Sequence, residues 1–235
     1  MKFLIDPKII EKFPGLILGI VVAKDINNID VDETVITKLR DQEIEIKANL
    51  NLNTLSDIPK IASWQRAYSS FGAKPKKYRS SIENLLRMIL EGGEIRHINK
   101  LVDIYNYVSI ANAVPVGGDD LDKIDGDITL KFAQGDERFS ELNSGEITHP
   151  HLGEVIYVDY TDVLCRRWNW RECDKSKMTE ATKNAILVIE GLPPVGREDV
   201  QKAVAMLGTM IQESCGGKTE TFILDTAHLT VMIVD

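Results

Sequence analysis

In "NKLVDIYNYVSIAN", Asp103 and Asn106 lie four and seven residues beyond Asn99, so a helix beginning at Asn99 turns a carboxylate and a carboxamide to one face. A carboxamide donates and accepts hydrogen bonds without titrating, which suits it to orient a substrate or a water. Just beyond, "AVPVGGDD" sets Gly117 and Gly118 where backbone without side chains can approach a ligand and offer N–H groups to a developing oxyanion. The alternatives are a solvated helix face and a tight turn. "LCRRWNWREC" offers a second chemistry. Strand alternation places Trp168 and Trp170 on one face and Arg167, Asn169 and Arg171 on the other. Arginines such as Arg166 and Arg167 grip phosphates and indoles stack on bases; alternatively the indoles are buried in a sheet and the arginines snorkel outward. Lys74, Lys76, Lys77 and Arg79 make a denser basic cluster. Asp120, Asp122 and Asp125 miss calcium-loop spacing, and His149 and His151 have no evident third ligand, so no metal site is expected.

The elements that must hold these residues follow from periodicity. Apolar "LILGIVVA" (16–23) predicts a buried strand, and alternating "EIEIKANL" (43–50) a second. Ile58, Ile61, Trp64, Tyr68 and Phe71 form one helical stripe, and Ser80 with Glu83 makes a capping box for a helix through Ile89. Asn99 caps the next, with Ile98, Leu101, Val102, Tyr105 and Val108 expected on its buried face. "DITLKFAQGDERF", "EVIYVDY", "VLCRRWNW" and "AILVIEGL" then predict strands. A helix from Gly196 to Cys215 and strands "TETFILD" and "LTVMIVD" close the chain. Strands, then helices, then strands without regular alternation predict an α+β fold of mixed sheets with helices packed on them.

The 235 residues are 43% hydrophobic and 27% charged, an ordinary globular composition. The longest apolar run, Leu16 to Ala23, is short of the ~20 residues a membrane helix needs, and "MKFLIDPK" reaches Asp6 too early for a signal core. No membrane association and a cytoplasmic location are expected. Cys165, Cys173 and Cys215 show no paired or zinc-binding spacing. The net charge of −8 excludes a protein coated in positive charge, yet Lys60 to Lys100 carries nine Lys or Arg against three Asp or Glu, which leaves room for a local anion-binding face.

"NKLVDIYNYVSIANAVPVGGDDLDKIDGDITLKFA" resembles a stretch of the B3/B4 domain of the phenylalanyl-tRNA synthetase beta subunit. In that family an Asn-x-x-Val-Asp-x-x-Asn-Tyr helix runs into a Gln-Pro-x-His turn and an acidic segment. Asn99, Val102, Asp103, Asn106, Tyr107, Pro115, Asp120, Asp122 and Gly126 fit. The likeness runs from about 64 to 190 and is strongest to free-standing single-domain relatives, so one domain over 1–235 is expected, with 1–60 and 196–235 completing the sheets and a packing helix.

That resemblance implies an editing module that binds the aminoacylated 3′ end of tRNA and hydrolyses the ester of a wrong amino acid, without cofactor. It assigns positioning to Asn106 and contact with the amino acid to Glu190, with Tyr105 and Asn99 on the same motif; Gly117 and Gly118 as catalytic backbone donors, and Lys76, Lys77, Arg166 and Arg167 as RNA contacts, follow instead from residue type and position. This chain departs from the family with Tyr105 for a Thr and Gly117 for the His of the turn. The other expectation is a non-catalytic module that binds RNA or an amino acid. Neither the amino acid read nor the oligomeric state follows from the sequence.

Overall fold

In the computed structural model, which describes residues 1–234, the apolar segment Leu16–Ala23 enters, at its second residue, β2 (Ile17–Lys24), the second strand of a four-stranded sheet ordered β11 (Lys218–Leu224), β2, β10 (Ala185–Gly191), β3 (Val116–Asp120). The strands of this sheet pair antiparallel. Leu18, Ile20 and Val22 point into one core and Val21 and Ala23 into another, so the sheet is buried on both faces, as its apolar run requires. One face is covered by α5 (Lys100–Asn112) and α6 (Arg197–Cys215). Gly19 permits that packing, because a Cβ there would meet Val204 Cγ2 at 2.3 Å.

Across the other core lies a six-stranded sheet ordered β12 (Thr230–Met232), β1 (Lys2–Ile5), β4 (Ile128–Phe132), β7 (Val155–Val158), β8 (Val163–Arg166), β9 (Arg171–Glu172). It is mixed, with β1 parallel to β4 and the other pairs antiparallel. A two-stranded ribbon, β5 (Phe139–Ser140) with β6 (Ile147–Thr148), lies outside both sheets. The helices α1 (Pro7–Lys12), α2 (Glu33–Asn49), α3 (Pro59–Ser70) and α4 (Ser81–Leu90) complete an α+β architecture. Ser80 Oγ accepts from Glu83 N at 3.4 Å and Asn99 Oδ1 from Val102 N at 3.1 Å, the two helix starts the sequence predicts. Among the described residues no helix is long and apolar enough to cross a membrane.

Three expectations give way. Residues 43–49 are the end of α2, with Leu50 its cap, not a strand. Asp32 caps this helix, and its inward face is Val35, Leu39, Glu43 and Ile46, with Ile44 65% exposed. The polar member of that face misleads the pattern: Glu43 is buried because Arg40 and the Ile95 N–H satisfy it at 2.5 and 2.7 Å. Gly117 and Gly118 form no loose corner but the middle of β3. The chain turns earlier, at Ala113, which adopts φ 52° and donates its N–H to Ser109 O. Finally, the predicted strand through Trp170 stops at Arg166, and 167–170 form the turn of a hairpin in which Cys165 faces Glu172.

Candidate functional site

That hairpin turn builds the floor of a cavity between the two large sheets. Arg167 and Trp168 both adopt left-handed backbone, φ 45° and 68°, a cost of about 1–3 kcal/mol each for non-glycine residues. Packing holds them there. The Trp168 N–H donates to Val155 O at 2.6 Å, and its ring, 0% exposed, meets Trp64 and Phe13 edge-on at 5.0 and 4.7 Å between centroids. The next residue, Asn169, is thereby turned inward.

Between the two large sheets is a narrow cavity of about 50 Å³, lined by Phe3, Ile128, Tyr157, Cys165 and Glu172 on one side and by Val116–Asp119, Ile186, Val188 and Glu190 on the other. Glu190, on β10 and 3% exposed, accepts from the Tyr157 hydroxyl at 2.5 Å and from Asn169 Nδ2. Asn169 Oδ1 in turn accepts from the Tyr68 hydroxyl at 2.8 Å and the Ser81 N–H at 3.3 Å. Burial still pushes the Glu190 carboxyl up to about 7, because these neutral donors only partly replace lost hydration. The Trp168 indole N–H lies beside the same carboxylate and favours its charge, yet falls outside hydrogen-bond geometry; it and Ser81 Oγ are buried polar atoms without partners.

Two more carboxylates face this cavity. Burial, reinforced by the charge of Asp119, pushes Glu172 up to about 8, and burial pushes Asp119 to about 6 although Ser176 Oγ donates to it at 2.5 Å. Among the described residues no Lys, Arg or His forms an ion pair with Asp119, Glu172 or Glu190. Glu172 Oε1 stands 2.8 Å from where a Cβ on Gly117 would lie, so the bare glycine makes room for the carboxylate. The main-chain donors differ. Glu190 N donates to Pro115 O at 3.1 Å, and ladder alternation then turns the Gly117 N–H into β10 and leaves the Gly118 N–H on the open edge, where it faces Glu172.

An outer cleft of about 520 Å³ carries Asn106, Tyr105, Asn84, Trp170 and Arg171 and shares Ser81, Val116, Asn169 and Glu172 with the inner cavity. The hollow therefore has two chambers. Asn106 and Tyr105 border the outer one, Gly117, Gly118 and Glu190 the inner one, and Glu172 stands at the junction.

Other selected residues lie elsewhere. Asn99 borders a neighbouring cleft, but its amide is buried and used, accepting from Val102 and donating to Met178 O at 3.3 Å. Asp103 does not share the cleft with Asn106: it is buried against His97 Nδ1 at 2.6 Å, and Ile98, expected inside, is exposed. Arg166 and Arg167 are buried rather than presented to a phosphate. Arg166 makes a two-pronged pair with Glu154 at 3.0 and 2.8 Å, and Arg167 reaches the same carboxylate at 3.4 Å while stacked on Tyr78 and Trp170 at 3.8 and 4.6 Å. Lys76 and Lys77 are exposed, on a loop joined to the outer rim by the edge-on contact of Tyr78 with Trp170 at 5.0 Å. Sequence reasoning missed Glu172, Asp119, Tyr157 and Asn169. A turn placed at "RWNW", instead of a continuous strand, would have set Glu172 opposite Cys165 and brought Asn169 to the bend.

Comparison with known proteins adds lineage. A family model described as the B3/4 domain matches residues 63–216. A 65-residue stretch, 28% of the chain, is 38% identical to the phenylalanine–tRNA ligase beta subunit of Shewanella oneidensis, and 69 residues, 29% of the chain, are 38% identical to that of Colwellia psychrerythraea. Each match spans only 8% of the relative's own length. An N-terminal fragment of the phenylalanyl-tRNA synthetase beta subunit from Pyrococcus horikoshii superposes with a TM-score of 0.47 at 17% identity, over 92% of this chain and 49% of that one.

Proposed function

The chain belongs to the B3/4 domain family, and from that premise we propose that it binds the aminoacylated 3′ end of a tRNA and hydrolyses the ester. The observation that carries this reading is the two-chambered hollow, with Asn106 on the outer wall, Glu172 at the junction and Glu190 at the closed end. The amino-acid side chain enters the inner chamber, the ester lies at the junction, and the terminal ribose occupies the outer cleft. Lys76 and Lys77 on the rim meet the phosphates.

An aminoacyl ester is already activated, so positioning and one proton transfer suffice. In this reading Asn106 orients a water and the Glu172 carboxylate takes its proton as the oxygen attacks the ester carbonyl carbon. The bond from that carbon to the ribose oxygen then breaks, and the proton held by Glu172 passes to the departing ribose oxygen. The Gly118 N–H supports the developing oxyanion. The resemblance puts a histidine at position 117; here the Glu172 carboxylate occupies the space beside that glycine. A base must be deprotonated, so with Glu172 held at about 8 the rate rises with pH through that value and levels above it. One observation favours a second reading, a binding module without chemistry: Gly117 has no side chain and its N–H faces β10, which leaves a single main-chain donor at the junction.

The test is a deacylation panel of purified aminoacyl-tRNAs with the native chain and with Glu172→Gln. We expect ester loss from at least one member, slowed about 10²–10⁴-fold by the substitution. Tight binding with no ester loss from any member establishes the binding module instead; neither binding nor loss overturns both.

A further inference from the structure

We infer that the cleft bordered by Asn99 is an acceptor site: it delivers the attacking molecule to Glu172, and besides water it takes a small primary amine, to which the acyl group is transferred. This rests on the aminoacyl-end reading above. Glu172 carries the inference, because its side chain borders three hollows at once, the inner chamber, the outer cleft and the Asn99 cleft. Tyr105, Leu142 and Asn143 line both the outer cleft and the Asn99 cleft, so the two adjoin. With an amino-acid side chain in the first hollow and the ribose in the second, the third is the approach left to the proton-taking carboxylate.

Size and charge set the class. The cleft holds about 580 Å³, within the range of small-molecule sites and far beyond the roughly 10–15 Å³ that one water needs. Its charged walls are Glu172, Glu180 and Lys177. Lys177 is committed elsewhere, donating to Asp174 at 2.8 Å and to Asn143 Oδ1 at 3.3 Å. Among the described residues no cation pairs with Glu172 or Glu180. A cleft walled by one sign of charge concentrates counter-ions, and an ammonium brings three donors and no acceptor to these two carboxylates. Ile98, Val102 and Met178 give an alkyl chain an apolar wall, with Ile98 still 60% exposed. Burial and the charge of Asp119 hold Glu172 at about 8; an ammonium beside it favours the charged form that the reaction needs.

The bound ammonium gives one proton to the Glu172 carboxylate, and the nitrogen lone pair so freed attacks the ester carbonyl carbon. The bond from that carbon to the ribose oxygen breaks. The ribose oxygen leaves with the proton held by Glu172, and the nitrogen gives its second proton to solvent. The products are an amide and the free RNA end.

The experiment incubates the full chain with the aminoacyl-tRNAs of the deacylation panel and n-propylamine, or n-propanol as its neutral counterpart, and separates free amino acid, amide and propyl ester by mass spectrometry. We expect the amide to form at least about tenfold faster than without the protein, a small part of what positioning supplies, and its rate to saturate with amine concentration. Ala181, exposed on the cleft wall, supplies the control. Ala181→Trp should fill the cleft and abolish the catalysed amide, while affinity for an amide-linked aminoacyl-adenosine, measured by calorimetry, stays within about twofold, as for a surface substitution. Amide formed no faster than the uncatalysed rate while ester is hydrolysed overturns the acceptor site and leaves the aminoacyl-end reading intact. So does catalysed amide that Ala181→Trp leaves untouched. Propyl ester formed as fast as amide overturns the choice of an amine. No loss of ester with or without amine sinks the acceptor site together with the hydrolysis proposed above.

Discussion

Glu154 and Glu190 are each 3% exposed, yet they behave oppositely. Glu154 receives both prongs of Arg166, the His151 N–H and the nearby Arg167, and is held below the usual carboxylate range although burial opposes this. Glu190 receives only neutral donors and is pushed up to about 7. The same depth therefore gives either a fixed charge or a proton-holding acid, according to whether a cation is supplied. Where the chain needs only a fold, it pairs the buried carboxylate. Beside the hollow it leaves Glu190, Glu172 and Asp119 without cations, a cluster of perturbed acids of the kind found at functional sites.

The most severe way to break this contrast is to remove the cation. Arg166→Met leaves Glu154 buried with the His151 N–H and, as its one remaining cation, the more distant Arg167, and we expect a loss of about 3–5 kcal/mol, the usual consequence of stranding one partner of a buried pair. Urea denaturation at pH 7 measures it. A loss below about 1 kcal/mol, the range of surface pairs, would show that the pairing of Glu154 carries no weight and that the two regions do not differ as argued.

Next in size is a pair of glycine substitutions. A Cβ on Gly118 would lie 2.4 Å from the backbone oxygen of Ile186, which cannot yield without parting β3 from β10. Gly118→Ala should cost about 1–3 kcal/mol, the range for overpacking. A Cβ on Gly117 meets only the end of the Glu172 side chain, which can swing away. Gly117→Ala should therefore leave thermal stability nearly unchanged and slow deacylation about tenfold, a 1.4 kcal/mol effect. Equal thermal losses from the two would remove the distinction between a structural and a site glycine.

These same residues mark where sequence stops being informative. β2, β10, α4 and α6 are legible because their apolar spacing and caps agree with their burial. The inner site is not, because its acids sit at positions where a pattern reader expects solvent. Glu172 reads as an exposed residue until the left-handed pair Arg167–Trp168 folds the hairpin back and brings it over Gly117. Arg166 and Arg167 read as phosphate ligands because the sequence does not reveal that Glu154, twelve residues earlier, is their partner. Asn106 and Glu190 are found through the family resemblance, and their chamber only through the pairing of β3 with β10.

A smaller effect tests the unpaired side through pH. Glu172, Asp119 and Glu190 have raised folded-state pKa values of about 8, 6 and 7, so the folded chain binds more protons than the unfolded chain between about pH 4 and 8. Stability should fall as pH rises across that window. Glu154, with its pKa lowered, works the other way: its contribution is present above the unfolded value and lost as pH falls through the folded one. Glu172→Gln removes one of the three raised acids. Allowing for contact with the open cleft, we expect stabilisation of about 1 kcal/mol at pH 8, roughly 2–4 °C in Tm, and almost none at pH 5. Equal shifts at the two pH values would mean that Glu172 is not proton-holding.

The smallest effect concerns cations left free. Lys76 and Lys77 are exposed, and no carboxylate among the described residues pairs with either, unlike Arg166. If they meet phosphates, Lys76→Ala with Lys77→Ala should lower the slope of log affinity against log salt by about 1.4, from roughly 0.7 per contact on single-stranded ends. Affinity should weaken by the same factor for every aminoacyl-tRNA, since phosphate contacts carry no side-chain information. Thermal stability should stay within about 0.5 kcal/mol of the native chain. Arg166→Met predicts the reverse: lost stability with an unchanged salt slope in the fraction that stays folded. Should the lysine pair leave the slope unaltered, the RNA approaches across another rim of the outer cleft, with Arg171, stacked on Trp170 at 4.7 Å, the next cation to remove.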